Sequence, residues 1–193
     1  LIGLVGSEMC IRDRYIFIKK FRKGRLSNNI VIEGTEILEN IKRNKHRVIF
    51  ISGHFSNFEL MAMQIEKMGI KVAAIYRPLN NIFLNRIMEK IRKNYICKYQ
   101  IKKGIGGIKE LVKLNNDGFS TALMIDQRVS EGIKSNFFNA KAFTTTIPAQ
   151  LVKKYKIPVV PIFIERFDNV KFKITVVKPI NFDENKSIED ITN

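Results

Sequence analysis

The sequence predicts an α/β fold: a mostly parallel central sheet flanked by helices, with an antiparallel edge. Three observations predict it. From Thr35 onward, short apolar runs of strand length alternate with segments of helical periodicity, the pattern of a parallel sheet with crossover helices. Two late runs, Pro158 to Arg166 and Val170 to Lys178, meet around Asp168 and Asn169 and read as a strand pair. Finally, 45% hydrophobic residues in a chain of 193 is a globular composition. A chain of that size buries roughly 70% of the surface its unfolded form exposes, so one domain is expected.

The elements follow in order. Leu1 to Arg14 show neither periodicity nor a targeting pattern, and Gly6 to Arg14 (GSEMCIRDR) resembles a translated adapter sequence. Residues 1–14 are therefore read as a non-native leader, and 15–193 as a single domain expected to be truncated at both ends. Tyr15 to Arg25 interleaves Lys19, Lys20, Arg22, Lys23 and Arg25 with apolar residues and has no acid. It reads either as a membrane-surface helix or as a solvated basic segment leading into the domain. Thr35 is read as capping an amphipathic helix carrying Ile37, Leu38 and Ile41. Arg47 to Ser52 is a strand, and Phe58, Leu60, Met61, Met63, Gln64, Ile65 and Met68 mark a helix that Gly69 closes. Next come strand Lys71 to Tyr76, helix Asn81 to Lys93, a strand near Tyr95 to Gln100, and helix Ile108 to Asn115. Phe119 to Ile125 is a buried strand, Asp126 to Thr145 is read as irregular, and Ile147 to Tyr155 is a short helix before the final strand pair.

Composition also limits partners and chemistry. With 34 Lys plus Arg against 18 Asp plus Glu, the formal charge is +16, which attracts phosphates, anionic membrane surfaces and acidic proteins. No apolar run approaches the ~18 to 20 residues that span a bilayer. Cys10 and Cys97 are isolated, and with two histidines they make no structural zinc site, so a reducing compartment is the simplest reading. A serine-hydrolase elbow (G-x-S-x-G) is absent, and Gly104-Ile105-Gly106-Gly107 matches neither a dinucleotide fingerprint nor a P-loop, reading instead as a loop entering a helix. Nucleic-acid binding stays open on charge, 14 Phe and 5 Tyr, although the Phe residues fall mostly within core patterns and no RNA-recognition signature is present.

Chemistry concentrates in Val48 to Leu60 (VIFISGHFSNFEL). A strand ends at Ser52 and Gly53, the chain turns at His54, and Ser56 or Asn57 can cap the helix that follows. His54 thus sits at the carboxyl end of a buried strand, where open α/β sheets bind ligands. In one helix, His54 and Glu59 would lie ~140° apart, so they meet only if His54 is in the turn and Glu59 in the first helical turn. Glu59 would then fix the imidazole tautomer and make His54 a general base. The alternative is a turn-capping histidine and a glutamate that complements the helix dipole. Asp126 ends the strand FSTALMI and points to the same sheet edge, where it orients an arginine or a backbone turn, or caps a loop.

His54-Phe55-Ser56-Asn57-Phe58-Glu59 resembles the His-x4-Asp/Glu motif of the lipid A late acyltransferases, the lauroyl and myristoyl transferases of the lysophospholipid acyltransferase superfamily. Further blocks agree in order. Tyr76-Arg77-Pro78 with Asn80 and Asn81 looks like the family's Tyr-Arg-Pro block, Arg92 falls at its functional arginine, and Asp126-Gln127 resembles its Asp block. Phe137 to Thr144 resembles Phe-Phe-Gly-x-x-Ala-x-Thr, and Val159-Val160-Pro161 also fits, so the resemblance covers about Val31 to Ile180. Asn139 stands where the family usually has Gly, and Phe58 where Trp is common.

The resemblance implies a glycerol-3-phosphate acyltransferase-like fold and transfer of a fatty acyl chain from an acyl carrier protein thioester to a hydroxyl of a lipid A precursor. It implies His54 as general base assisted by Glu59, and Arg77, Arg92, Asp126 and Asn57 as substrate-binding residues. No metal and no redox cofactor is required. The implied partners are acyl carrier protein, a phosphorylated glycolipid acceptor and an anionic membrane surface, without nucleic acid, at the cytoplasmic face of the inner membrane. Nine Lys or Arg between Arg86 and Lys113, against Glu89 and Glu110, suit such anionic partners. Two alternatives stand beside this reading: a basic nucleic-acid-binding α/β domain, and an acyltransferase for another lysophospholipid-like acceptor.

Overall fold

The computed structural model describes residues 15–193 except 131, 138, 169 and 184, so the leader reading of residues 1–14 lies outside the described residues. Seven strands form one sheet: β1 (Ile30–Glu33), β2 (Ile49–Ser52), β3 (Val72–Tyr76), β4 (Tyr99–Lys102), β5 (Ser120–Met124), β8 (Val159–Phe167) and β9 (Lys171–Val176). Their order is β1-β9-β8-β2-β5-β3-β4, and β6 (Ile133–Phe137) and β7 (Ala140–Thr144) form a separate antiparallel ribbon. From β8 to β4 all pairings are parallel, while β9 runs antiparallel to β8 and carries β1 parallel at the edge. The mixed sheet matches the expected class.

Each strand's pattern accounts for its place. In β2 (IFIS) three of the four residues are buried, as in a central strand covered on both faces. In β9 (KFKITV) buried Phe172, Ile174 and Val176 alternate with half-buried Lys171, Lys173 and Thr175, the period-2 pattern of a strand covered on one face. Helices cover the sheet from both sides. One core holds Phe50, Met63, Ile162 and Ile174 beneath α1 (Ile18–Arg22), α2 (Thr35–Arg43) and α3 (Glu59–Lys67). The other holds Ile49, Leu111, Leu123 and Leu151 beneath α5 (Ile105–Asn116) and α6 (Ile147–Tyr155). Gly107 lets α5 approach the sheet closely, since a Cβ there would stand 1.8 Å from the Lys102 carbonyl oxygen.

Several expectations change. The basic Tyr15 to Arg25 segment contains the short helix α1, whose Ile18 and Phe21 are buried in the core, with Phe21 edge-on to Phe172 at 5.8 Å. Just before it, Ile16 and Phe17 of the same segment remain exposed. Thr35 is not a cap: Gly34 holds that position at φ 81, and the Thr35 hydroxyl donates to the Ile32 carbonyl at 3.0 Å. Helix α4 (Ile82–Tyr95), capped by Asn81, extends past Lys93, which moves β4 to Tyr99–Lys102. The stretch from Asp126 to Thr145 is not irregular throughout, because it contains the β6–β7 ribbon. These strands escape a periodicity reading because IKSNF and AKAFT lack a continuous apolar face and pair only with each other. Short β1 and helix α7 (Ile188–Thr192), with its Ser187–Asp190 capping box, add to the elements the periodicity predicts.

Candidate active site

The carboxyl ends of the parallel strands open onto a cavity of about 600 Å³, in the size range of small-molecule sites. Its inner wall is apolar, from Phe50, Met61, Ala62, Ile65, Ile96 and Ile162, and His54, Glu59, Arg77 and Arg92 also line it.

His54 reaches this cavity because β2 ends two residues earlier, and the neighbouring register decides its partner. Ser52 pairs with Met124 on β5, so two residues beyond each strand His54 and Asp126 stand opposite one another. Asp126 Oδ2 accepts the His54 backbone N–H at 2.7 Å, and Asp126 Oδ1 lies 2.7 Å from His54 Nδ1. Gly53 keeps this corner open: a Cβ there would meet the Phe55 ring at 2.7 Å and Asp126 Oδ2 at 3.2 Å. Burial opposes charge on Asp126, but the bonds from the His54 backbone and ring outweigh it and hold the carboxyl below its ordinary range. Phe58 packs edge-on against the imidazole, with centroids 4.8 Å apart. Asp126 contacts the turn backbone, one of the roles read from the sequence, and also the histidine ring, which the sequence does not suggest.

Glu59 turns elsewhere. Its Oε1 accepts from Arg92 Nε at 3.3 Å and from the Tyr15 hydroxyl at 3.2 Å, and among the described residues its carboxylate has no hydrogen bond to His54. The first residue of α3 faces α4 across the cavity wall, whereas His54 leans toward β5. Arg92 also lies over the Tyr76 ring at 5.3 Å, and burial, which opposes its charge, is outweighed by Glu59 and Tyr15, so its basicity is raised. Behind it, the Tyr76 hydroxyl donates to Glu89 at 2.7 Å, and Glu89 also accepts from Asn85 at 2.6 Å and Lys102 at 3.0 Å. The Tyr76 bond, then that of Lys102, hold the Glu89 carboxyl down to about 2. Burial, with Glu89 second, pushes the Tyr76 phenol well up.

Arg77 is exposed on the cavity rim just past β3. Asn57 is fully buried, does not line the cavity, and its amide atoms have no partner among the described residues. Neither Ser56 nor Asn57 caps α3 with its side chain; Phe58 holds that position, and Ser56 adopts φ 42 with its hydroxyl buried and without a partner among the described residues. Sequence reasoning missed Lys103 and Arg128, which line the cavity past β4 and β5, and Tyr15, which bonds Glu59. The first two follow from the strand-end rule once the strand order is known.

Comparison with known proteins agrees with the motif blocks. The chain is 24% identical over 176 residues to lipid A biosynthesis acyltransferase 2 of Shigella flexneri, covering 90% of this chain and 52% of that protein. It is 27% identical over 154 residues to the lipid A biosynthesis myristoyltransferase of Escherichia coli (strain K12), covering 76% of this chain and 46% of that protein. The chain therefore spans about half the length of the curated relatives it matches. The model of the bacterial lipid A biosynthesis acyltransferases matches residues 9–193, and the chain belongs to that family.

Proposed function

We propose that this chain forms the catalytic core of an enzyme that transfers a fatty acyl chain from an acyl carrier protein thioester to a hydroxyl of a lipid A precursor. The observation that carries the reading is the bond between Asp126 and His54, with His54 on the wall of a largely apolar cavity, in a chain of this family. With a carboxylate at Nδ1, that nitrogen keeps the proton and Nε2 keeps its lone pair. Nε2 takes the proton of the acceptor hydroxyl as its oxygen attacks the thioester carbonyl carbon. The carbon–sulfur bond then breaks, and the imidazolium returns the proton to the carrier's thiolate. Asp126 orients and stabilises the imidazolium, and Glu59 acts on the opposite wall by holding Arg92 in place. Direct transfer suits the available nucleophiles. Ser52 is buried, with its hydroxyl directed at Met61 and the Gly53 carbonyl, and burial, with Glu66 second, pushes the Cys97 thiol up to about 12.

Helix α4 supports a membrane-surface reading at the same mouth. Leu79, Ile82, Phe83, Leu84 and Ile87 are exposed, Phe83 to 80%, and Arg86, Lys90 and Lys93 share the helix. Ile91 of the same helix packs against the core. No helix among the described residues is long and apolar enough to cross a membrane. The proposal therefore places the apolar patch of α4 in the headgroup boundary of the inner membrane's cytoplasmic face, with the cations drawn to anionic lipid. The protein should co-sediment with anionic vesicles at low salt and be released as ionic strength rises.

The test of activity is mass spectrometry of lipid A from a host lacking its late acyltransferases. Expression of the full-length protein should add one acyl chain, and His54→Ala should add none. An unchanged lipid A profile with the wild-type protein overturns the reading.

A further inference from the structure

Strand register gives the inner end of the cavity a definite floor. Phe50 pairs with Ala122, Ala122 with Ala74, and Ala74 with Gln100, so these four residues form one transverse row on the same face of the parallel sheet. All four line the cavity, as do Ala62 and Ile65 of α3 and Ile96 just past α4. Two alanines in the middle of the row leave a groove with Phe50 on one side and Gln100 on the other. Neighbouring strands lie about 4.8 Å apart, so the row spans roughly 14 Å from β2 to β4. Because His54 follows β2 and β4 is the last strand of the sheet, the groove leads from the histidine toward that sheet edge.

Gln100 breaks the chemistry of that row. It is a polar amide only 6% exposed at the end of an otherwise apolar floor. Its amide nitrogen donates to the Cys97 carbonyl at 3.0 Å and lies 3.5 Å from Cys97 Sγ, which fixes the side chain against the connection from α4 to β4. Ile96 and Cys97 in that connection are fully buried and close the groove behind it. With the nitrogen committed to Cys97, the amide oxygen has no hydrogen-bond partner among the described residues. An alkyl chain shorter than the groove leaves that oxygen open to hydration. A chain long enough to press its methyl against the amide removes the hydration and returns no donor, which is costly in a buried site.

We propose that Gln100 determines the length of the acyl chain this protein accepts: the donor's chain lies over Ala122 and Ala74 with its thioester carbonyl at His54, and its terminal methyl stops at the Gln100 amide. The proposal rests on the acyl-transfer reading and names the residue that selects among acyl donors. Size and polarity act together there, since the side chain both closes the groove and penalises a methyl placed against it.

The test measures kcat/KM of the full-length protein for saturated acyl carrier protein thioesters of increasing chain length. Wild-type values should rise with length to a limit and then fall about tenfold or more for longer chains. Gln100→Met keeps the reach of the side chain but removes the amide, and should move the limit to a longer chain. Ala74→Leu fills the groove one strand earlier and should move it to a shorter one. A limit unmoved by either change overturns the assignment. Should Gln100→Met fail to fold, Gln100→Asn, which draws the amide back from the groove, takes its place with a shift in the same direction. To keep this separate from turnover, saturated fatty acids below their micellar concentration are titrated into the full-length His54→Ala protein. Affinity should rise about fourfold per added carbon and then level off at the limit. A break that moves to longer chains with Gln100→Met supports the role even where no transfer is detected, and a break that is absent or stays in place overturns it.

Discussion

His54 and Asp126 stand on the connections after β2 and β5 with side chains 33% and 38% exposed, whereas Glu59 and Arg92 stand on α3 and α4 at 8% and 13%. The first pair touches solvent and is set by strand register. The second is enclosed, bridges two helices and is tied through Tyr76 and Glu89 to β3 and β4. The difference teaches that one motif, HFSNFE, supplies two clusters of different kinds: its histidine joins the partly exposed pair with Asp126, and its glutamate the enclosed pair with Arg92. Burial makes the distinction, because removing one member of an enclosed ion pair strands a charge, while removing a partner from an exposed imidazole chiefly loosens its orientation.

The comparison breaks most sharply at His54. His54→Ala should lower turnover by about 10³-fold or more while leaving the thermal midpoint nearly unchanged. Wild-type turnover in that variant would make the histidine structural.

The next test sets Asp126→Asn against Glu59→Ala. The first should cut kcat about 10² to 10⁴-fold with little loss of stability, because the imidazole loses the acceptor that fixes its tautomer. The second should destabilise the fold by about 3 to 5 kcal/mol, leaving Arg92 buried without its carboxylate. If Asp126→Asn is silent and Glu59→Ala removes turnover from a fully stable protein, the two roles exchange and the His54–Glu59 dyad is restored.

Acid titration sharpens the enclosed side. Glu89 is held at about 2 in the folded protein against an ordinary 4.5, so its contribution to stability is complete above 4.5 and is lost as pH falls toward 2. Thermal midpoints measured across that interval should fall more steeply for the wild type than for Glu89→Gln. Parallel curves would dissociate Glu89 from the anchoring of α4.

The smallest effect lies in the turn between the two sites. Ser56→Gly removes a side chain held at φ 42 and a buried hydroxyl without a partner among the described residues, and should stabilise by about 0.5 to 1 kcal/mol in chemical denaturation. A loss of stability would show that the serine hydroxyl is satisfied in solution.

By itself the sequence determined the alternating elements, the antiparallel final pair and the placement of His54 at a strand end, because these rest on local periodicity, turn residues and chain order. The central runs were legible since strands such as β2 are apolar enough to stand out. The β6–β7 ribbon was not, because its residues stabilise a ladder rather than a core, and β1 is four residues behind a polar turn. Which carboxylate meets His54 was decided only by the tertiary structure. Asp126 lies 72 positions away from His54 in sequence and Glu59 only five, yet parallel pairing of β2 with β5 aligns the distant residue and the start of α3 turns the near one toward Arg92. Strand order is a long-range property: no local pattern in either segment states which strand lies beside it, and the identity of a partner across a sheet edge exists only once the chain has closed that distance.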